Sequence, residues 1–592
     1  MRTRQIIKPE KWIEKKHLIE GAILLITFFC TLFFLARNAG GPVNSDNLFY
    51  MDAGLNGIKN IHTLFYYFHI FLQRIFMDIA PTPLGGVRLF WAFLVSSSVV
   101  LIYLSVRNLG FRNSRLNALL GVLFLFSMGF LPAYSGKTEN DLTAMFLVSL
   151  ILFVYLLSLK GGFEKPLIIG LLGFLIFLAS RTKETAFMFS FIIIGFGFSN
   201  GDNFHFRELI RRLPAFLIGL GCGVVFFLIL NSLILRDPFW GFRPSEIQQY
   251  LTAVENHARW GDISKNYFND VVFKSMLFPF LLFFIAGVQT RDTSVPFRDR
   301  LPWFYPFVLI LFFTVLMVFS SGYKVQITDR LFFPAIPVIC VFASQVIDFR
   351  ILQTRKDWIW LIGTAGAGLL IATLVINFFF ATQKITLYSI DDFSLNILLP
   401  IFVSIFIITY FWKNPDRIAR LLLPVLCLSV ILFTSLYQNY YSFFIEQPVK
   451  QRMEQIFYPF SVFANRIQFD PGMKFLVSSN INKEYQMLLR REDELRSIFN
   501  VYFRADASID NFINQIRYTS TTQNLQYEDP LPGIEKMDYD YGLITSSDWE
   551  RIRKIHGLSD QLLVKYNLFF DDQKSIALLV NKLRDDPLQN NP

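Results

Sequence analysis

Apolar runs of about 17 to 25 residues, the length that carries an α-helix across a bilayer, recur through the first 440 residues of this sequence. The first run covers 18–37, and no small-residue cleavage pattern follows it. Because 53% of the 592 residues are hydrophobic and only 17% are charged, a soluble protein could not bury this much apolar surface. We therefore predict a polytopic α-helical membrane protein. About thirteen spans are expected, at 18–37, 87–106, 116–134, 141–159, 166–180, 185–199, 213–235, 272–289, 303–320, 331–348, 358–381, 395–412 and 419–440.

Basic residues recur at every second connection between the predicted spans. They begin in the N-terminal tail, 1–17, and return near 107–115, 160–165, 207–212, 291–300, 350–356 and 413–420. The positive-inside rule places these connections in the cytoplasm, so the C-terminus and the long loops 38–86 and 236–271 are expected outside the plasma membrane. These anchors account for the net charge of +10, so no nucleic-acid partner is predicted. Membrane lipids are the expected surroundings.

The chain loses its span-length apolar runs after about residue 446. Strand-like runs at 473–479, 501–503 and 541–545 alternate with helical patterns at 484–498 and from 546 onward. This alternation predicts a small extracytoplasmic α/β domain at 446–592 with partly parallel strands. It contains no glycine-rich phosphate fingerprint, so no nucleotide is assigned to it. The membrane module is then expected to occupy 18–445.

Charged and aromatic residues gather where the predicted spans meet the outer surface. Charged groups near hydrocarbon are costly, so they tend to pair or to serve a site. Each of them alone also suits a helix cap, a snorkelling end or an ion pair. The candidates are Asp46 and Tyr50 in the first loop, Tyr134, Glu139 and Asp141 at the fourth span, Arg181, Lys183 and Glu184 between the fifth and sixth spans, and Arg330 before the tenth.

An acid beside several cations at a membrane surface suits the transfer of a sugar from a lipid phosphate. Arginine and lysine can stabilise the phosphate as it leaves, and a carboxylate can take the proton of an incoming hydroxyl. In loop 236–271, His257 and its aromatic neighbours could contact the sugar or the acceptor, or could anchor the loop at the interface. Glu139 and Asp141 could hold a divalent cation, although helix capping also explains both. No other cofactor is predicted.

Several short motifs resemble those of GT-C fold membrane glycosyltransferases of the aminoarabinose-transferase and protein O-mannosyltransferase type. The family's acid soon after the first span is matched by Asp46, with Tyr50 four residues later. Its Thr-Lys-Glu after the fifth span is matched by 182–184, and its arginine–aromatic–Pro-x-x-Pro segment by 330–337. Its His-Pro-Pro-Leu-Tyr stretch appears in altered form at 62–66, without the prolines. The resemblance covers roughly 18–440.

The resemblance implies a polyprenyl-phosphate-linked sugar as donor and an inverting transfer to a hydroxyl acceptor, on a lipid, a glycan or a protein, at the outer face. It implies that Asp46 is the general base and that Lys183 and Arg330 lie near the donor phosphate. Arg181 is a further candidate for the phosphate. The remaining candidates would line the substrate cavity: Tyr50, Tyr134, Glu139, Asp141, Glu184 and His257.

Two other classes of protein share this composition. A transporter or lipid flippase is expected to show internal repeats and ionisable residues in broken helices near the middle of the membrane. No clear repeat is evident in this sequence, and its charges cluster at one face instead. A non-catalytic scaffold that displays the C-terminal domain is the third possibility, and loss of function on deletion of that domain would distinguish it.

Overall fold

A computed structural model describes much of the chain. The described residues are 15–39, 50, 53–54, 66–80, 83–109, 114–127, 140–159, 166–198, 204–249, 306–310, 333–346, 354–382, parts of 425–436, 475–477, 539–555, 557–571 and 576–583. Glu184 is described in its backbone only. Several predicted features lie outside these ranges, namely Asp46, Tyr134, Glu139, His257 and Arg330, the spans at 272–289 and 395–412, and the strand at 501–503.

The chain divides into two compact units. The first unit comprises Met1–Asn38, Lys59–His69 and Leu89–Gln447. The second unit comprises Ala39–Ile58, Ile70–Arg88 and Pro448–Pro592.

Helices make up nearly all of the described membrane part of the chain. They are α1 (Lys15–Asn38), α2 (Tyr67–Ile79), α3 (Pro83–Asn108), α4 (Ser114–Ser127), α5 (Asn140–Ser158), α6 (Pro166–Ser180), α7 (Phe206–Leu235), α8 (Ile336–Ala343) and α9 (Arg355–Thr382). Within the described residues, five of them (α1, α3, α5, α7 and α9) are long and apolar enough to cross a membrane. The prediction of a multi-pass helical membrane protein is confirmed at this level, and the total of about thirteen spans stays a prediction.

The predicted sixth span, 185–199, is not a regular α-helix. The structure has a 3₁₀ helix at Glu184–Phe191, one α-helical turn at Ile192–Gly195 and a second 3₁₀ turn at Phe196–Phe198. Gly195 packs against the Tyr155 ring so closely that a Cβ atom there would clash. The apolar run predicts that this segment is buried, but apolar runs carry no information on whether its hydrogen bonds follow the α or the 3₁₀ pattern.

Helices α6 and α7 approach each other closely through glycines. Gly219 faces the backbone of Gly170, Gly223 faces the ring of Phe177, and a Cβ atom at either α7 glycine would clash. Small residues four apart let two membrane helices come together in this way. Phe227 lies one turn beyond Gly223 and meets Phe177 edge-on, with 5.6 Å between ring centroids. The close approach therefore places an aromatic ring beside the C-terminal end of α6.

An ion-pair cluster joins three helices at the end of the first unit that is expected to be cytoplasmic. Glu20 on α1 accepts hydrogen bonds from Arg107 at 2.8 Å, from Tyr103 at 2.9 Å and from Arg115 at 3.1 Å. Arg107 and Arg115 are two of the basic residues that set the predicted orientation. One carboxylate thus holds α1, α3 and α4 together.

The described C-terminal part of the second unit is a small sheet with two helices. The strands β1 (Phe475–Val477), β2 (Tyr541–Thr545), β3 (Tyr566–Phe570) and β4 (Ile576–Asn581) are ordered β1-β2-β4-β3, and the helices are α10 (Ser546–Lys554) and α11 (Leu558–Lys565). β1 and β2 are parallel, and the other two pairs are antiparallel. The strand predicted at 541–545 has these bounds in the structure, and β1 lies within the strand predicted at 473–479.

Helix α10 starts at a capping box. The Thr545 side chain accepts from the backbone of Asp548, whose carboxylate accepts in turn from the Thr545 backbone. This reciprocal pair satisfies two amides that a helix start would leave without partners. The apolar face of α10, including Ile552, then packs into a core with Leu562 and Leu579.

Candidate functional site

The turn after α6 changes the backbone from helical to extended within three residues. Arg181 and Thr182 still donate to carbonyls of α6, at 3.0 Å each, and the Lys183 amide donates to Ala179 at 2.9 Å. Lys183 itself is extended, with φ −152° and ψ 124°, and the 3₁₀ helix starts at the next residue. Because the chain turns here, the side chains of Arg181 and Lys183 reach different neighbours.

Lys183 forms a buried ion pair with Asp141, the second residue of α5. Lys183 Nζ lies 3.2 Å from Asp141 Oδ1, and the two side chains are 7% and 0% exposed. This is a contact between charges rather than an aligned hydrogen bond. Neither carboxylate oxygen of Asp141 has a hydrogen-bond partner among the described residues. The positive end of the α5 dipole also favours a carboxylate at this position. The pair joins two candidates that the sequence placed apart, Asp141 at the fourth span and Lys183 between the fifth and sixth spans.

A second contact fastens the start of α5 to the same turn. The Asn140 side-chain amide donates to the Thr182 carbonyl at 3.2 Å, and both residues are buried. The Thr182 hydroxyl donates back to Leu178 on α6 at 3.0 Å. The Asn140–Thr182 hydrogen bond therefore lies next to the Lys183–Asp141 pair and limits how far the turn and α5 can separate.

Residues at the start of α2 contact Lys183 and the first turn of α5, which carries Asp141. The Tyr66 ring centroid lies 5.8 Å from Lys183 Nζ, within the range of a cation–π contact. His69 Nδ1 and Thr143 Oγ1, both fully buried, are 2.8 Å apart and share a hydrogen bond. Thr143 lies two residues after Asp141, in the first turn of α5.

Arg181 is buried and contacts two aromatic rings and a backbone carbonyl. Its guanidinium lies between the rings of Phe227 and Phe242, at 5.4 and 5.0 Å from their centroids, and donates to the Gly241 carbonyl at 3.3 Å. Burial lowers the pKa of Arg181 to about 10, while Glu246 acts in the opposite direction. The group therefore stays charged at neutral pH. These contacts join the turn after α6 to the segment that follows α7.

The segment after α7, residues 236–249, is held in shape by its own charges. The Glu246 carboxylate accepts from the backbone amide of Gly241 at 2.8 Å and from the Arg243 side chain at 3.0 Å. Arg243 also pairs with Asp237 at 2.8 Å. Gly241 has φ 78°, a backbone conformation that residues other than glycine rarely adopt. The described start of the predicted outer loop 236–271 is thus ordered, with a turn at 238–242 and helical residues at 244–249.

The other sequence candidates are distributed as follows. Tyr50 is buried and helical, in the second unit. Glu184 opens the 3₁₀ helix that follows Lys183. Among the described residues, no group of three His, Cys, Asp or Glu side chains is placed to hold a metal ion. Because Glu139 lies outside the described ranges, the divalent-cation prediction at Glu139 and Asp141 stays a prediction.

Sequence reasoning did not select Tyr66, His69 and Thr143 as site residues. Tyr66 falls in the altered motif, and His69 falls in a largely apolar stretch, 64–72, of the first loop. Thr143 reads as an ordinary helix residue. The available signal was the polar series Asp141 and Thr143 at the start of a span that is otherwise apolar. It indicated a polar helix end but not its partners.

No protein-family profile matches the sequence, and no curated protein sequence matches it. In fold, the chain is similar to ArnT from Cupriavidus metallidurans in the apo state, with 14% identity and a TM-score of 0.49 over 96% of this chain and 98% of ArnT. For ArnT bound to undecaprenyl phosphate, the values are 13% identity, a TM-score of 0.48, 96% of this chain and 99% of ArnT.

The chain is also similar to AglB, an archaeal oligosaccharyltransferase from Archaeoglobus fulgidus, in complex with an inhibitory peptide and a dolichol-phosphate. Here the identity is 11% and the TM-score 0.42, over 96% of this chain and 75% of AglB.

Proposed function

We propose that this protein is a polyprenyl-phosphate-dependent glycosyltransferase that acts at the outer face of the plasma membrane. The donor is a sugar linked to a polyprenyl phosphate, and the acceptor is a hydroxyl group on a lipid, a glycan or a protein. The observation that carries the proposal is the buried Lys183–Asp141 pair at the break between α6 and the 3₁₀ helix. A lysine held in a dry site at the end of a span is suited to bind a lipid phosphate.

In the proposed reaction, Asp46 takes the proton of the acceptor hydroxyl as its oxygen attacks the anomeric carbon. The bond from that carbon to the phosphate oxygen breaks, and the polyprenyl phosphate leaves with the electron pair. Attack from the face opposite the phosphate inverts the anomeric configuration. Asp46 acts as the general base, which requires an ionised carboxylate within hydrogen-bond reach of the acceptor.

Lys183 and Arg330 are proposed to stabilise the negative charge on the leaving phosphate, with Arg181 as a further cation in the same region. An ammonium carries three donors, so Lys183 can contact Asp141 and a phosphate oxygen together. The other candidates are proposed to contact the sugar or the acceptor. They are Tyr50, Tyr134, Glu139, Asp141, Glu184 and His257.

Neither Asp141 oxygen accepts a hydrogen bond among the described residues, and this supports a substrate-contacting role for the residue. A buried acceptor that lacks a donor costs free energy, and sugar hydroxyls can supply the missing donors. In the proposed complex, Asp141 therefore holds Lys183 on one side and accepts from the substrate on the other.

The test is a turnover assay in lipid nanodiscs. Purified protein receives synthetic undecaprenyl-phosphate-linked sugars together with a lipid extract as acceptor, and mass spectrometry follows the release of free undecaprenyl phosphate. Release of this product, which every donor of the class shares, is the expected result. In proteoliposomes, movement of the intact sugar lipid between leaflets without release of undecaprenyl phosphate would instead establish a flippase. If the protein shows neither activity, the scaffold role is the remaining alternative.

A further inference from the structure

The buried hydrogen bond between His69 and Thr143 has no role in the proposed reaction. Both side chains are fully buried, and the His69 ring also packs against Phe90, with 5.7 Å between centroids. Burying a polar side chain costs free energy, so a buried histidine normally makes specific contacts. The bond joins residues 74 positions apart, one at the start of α2 and the other on the first turn of α5.

Tyr66, the residue immediately before α2, contacts the Lys183–Asp141 pair directly. Tyr66 comes three residues before His69, and its ring covers the Lys183 ammonium at 5.8 Å. Thr143 comes two residues after Asp141, whose carboxylate contacts Lys183 at 3.2 Å. The start of α2 therefore touches Lys183 directly and touches the helical turn that carries Asp141.

We infer that His69 is a positioning residue for the Lys183–Asp141 pair. Through Thr143 it fixes the first turn of α5, and this fixes the distance and direction from which Asp141 holds the Lys183 ammonium. The four-carbon side chain of lysine is flexible and loses much conformational entropy when it is ordered. A partner already in place removes part of that loss before the phosphate arrives, which is the effect of preorganisation on affinity. The inference rests on the proposed function for the identity of the ligand but not for the position of Lys183.

The test uses matched substitutions. Thr143→Val keeps the shape and removes the hydroxyl, while Thr143→Ser keeps the hydroxyl. His69→Asn places an amide group near the position of Nδ1, whereas His69→Gln places its amide group near that of Nε2. Ser149→Ala is the control, because Ser149 is also a buried hydroxyl on α5 but donates to Met145 within its own helix.

The first readout is the rate at which N-hydroxysuccinimidyl acetate modifies Lys183 in the full-length protein in nanodiscs, followed by mass spectrometry. Thr143→Val and His69→Gln are expected to accelerate modification about 3- to 10-fold, the effect of losing one hydrogen bond. Thr143→Ser, His69→Asn and Ser149→Ala are expected to stay near the wild-type rate. The double variant Thr143→Val/His69→Gln is expected to match the single variants, because the two residues act through one contact.

The second readout is binding of tritiated undecaprenyl phosphate. The same two variants are expected to raise its Kd about 3- to 10-fold over the wild-type value. In a Lys183→Gln background, they are expected to leave the Kd of Lys183→Gln unchanged. A Thr143→Val protein that matches Ser149→Ala in both readouts would overturn the positioning role, as would additive effects in the double variant. If the wild-type protein fails to bind undecaprenyl phosphate, the proposed function fails, and Lys183 modification still decides the positioning role.

Discussion

Lys183 Nζ lies 3.2 Å from Asp141 Oδ1 in a site where the lysine side chain is 7% exposed and the aspartate side chain is not exposed at all. The contact joins the start of α5 to the turn that follows α6. Two charges can be buried together because each reduces the desolvation cost of the other, whereas removal of one leaves the other without compensation. The pair therefore affects both the stability of the first unit and its capacity to bind an anion.

Neutralising one member of the pair is expected to cost more stability than neutralising both. Asp141→Asn leaves a buried ammonium and Lys183→Gln leaves a buried carboxylate, and each change is expected to cost about 3–5 kcal/mol. Asp141→Asn/Lys183→Gln replaces the charges with two amides that can bond to each other, so it is expected to recover part of this loss. Thermal unfolding of the four proteins in one detergent gives the coupling between the residues.

Glu550→Gln controls for the loss of a charge, since Glu550 is 63% exposed and its pairing with Arg553 spans 3.7 Å. This change is expected to alter stability by less than about 0.5 kcal/mol. If Asp141→Asn and Lys183→Gln destabilise by independent amounts that add in the double variant, the two residues do not act as a pair.

The packing of α6 on α7 predicts opposite effects at two neighbouring glycines. Gly219→Ala places a methyl group against the Gly170 backbone, which cannot move aside, and is expected to destabilise by about 1–3 kcal/mol. Gly221→Ala is the matched control, since a Cβ atom there meets nothing within 4 Å. Alanine favours helix over glycine by up to about 1 kcal/mol, so Gly221→Ala is expected to be neutral or stabilising. Equal unfolding temperatures for the two variants would refute the close helix contact.

Glu246 is expected to stabilise the turn at 238–242 that precedes the helical residues 244–249. Glu246→Met removes the acceptor for the Gly241 amide and the partner of Arg243, so the backbone amides of 241–243 and 245–246 are expected to exchange faster with deuterium. The expected protection loss corresponds to about 1–3 kcal/mol. Ser245→Ala, at an exposed neighbouring position, should leave the exchange pattern unchanged. The same exchange rates at these amides in the wild-type protein, Glu246→Met and Ser245→Ala would contradict the stabilising role of Glu246.

The regular spans were predictable because long apolar runs leave few alternatives in a membrane. α6 has the predicted bounds 166–180, and α5 (Asn140–Ser158) differs from the predicted 141–159 by one residue at each end. The irregular helix at 184–198 was not predictable, because it depends on close contacts that an apolar run does not specify, those of Gly195 with the distant Tyr155 ring and of Gly197 with the nearby Phe204 ring.

The site was predictable in composition but not in pairing. Charge at the ends of spans selected Asp141, Arg181 and Lys183, since charged groups there require a partner. Which partner each one takes depends on helix packing. Lys183 meets Asp141, while Arg181, only two residues earlier, lies between two phenyl rings and donates to a backbone carbonyl. The contact of His69 with Thr143 joins residues 74 positions apart within the first unit, which no local pattern specifies.

The most direct test of the account is the turnover of Asp46→Asn in nanodiscs, measured as undecaprenyl phosphate released from a synthetic undecaprenyl-phosphate-linked sugar. The matched control is Asp52→Asn, the same change in the same loop. Loss of a general base costs about 10²- to 10⁴-fold in rate, so Asp46→Asn is expected to lose turnover by this factor while it still binds undecaprenyl phosphate. Asp52→Asn is expected to retain turnover. A well-folded Asp46→Asn protein that turns over at the wild-type rate would contradict the assignment of Asp46 as the catalytic base.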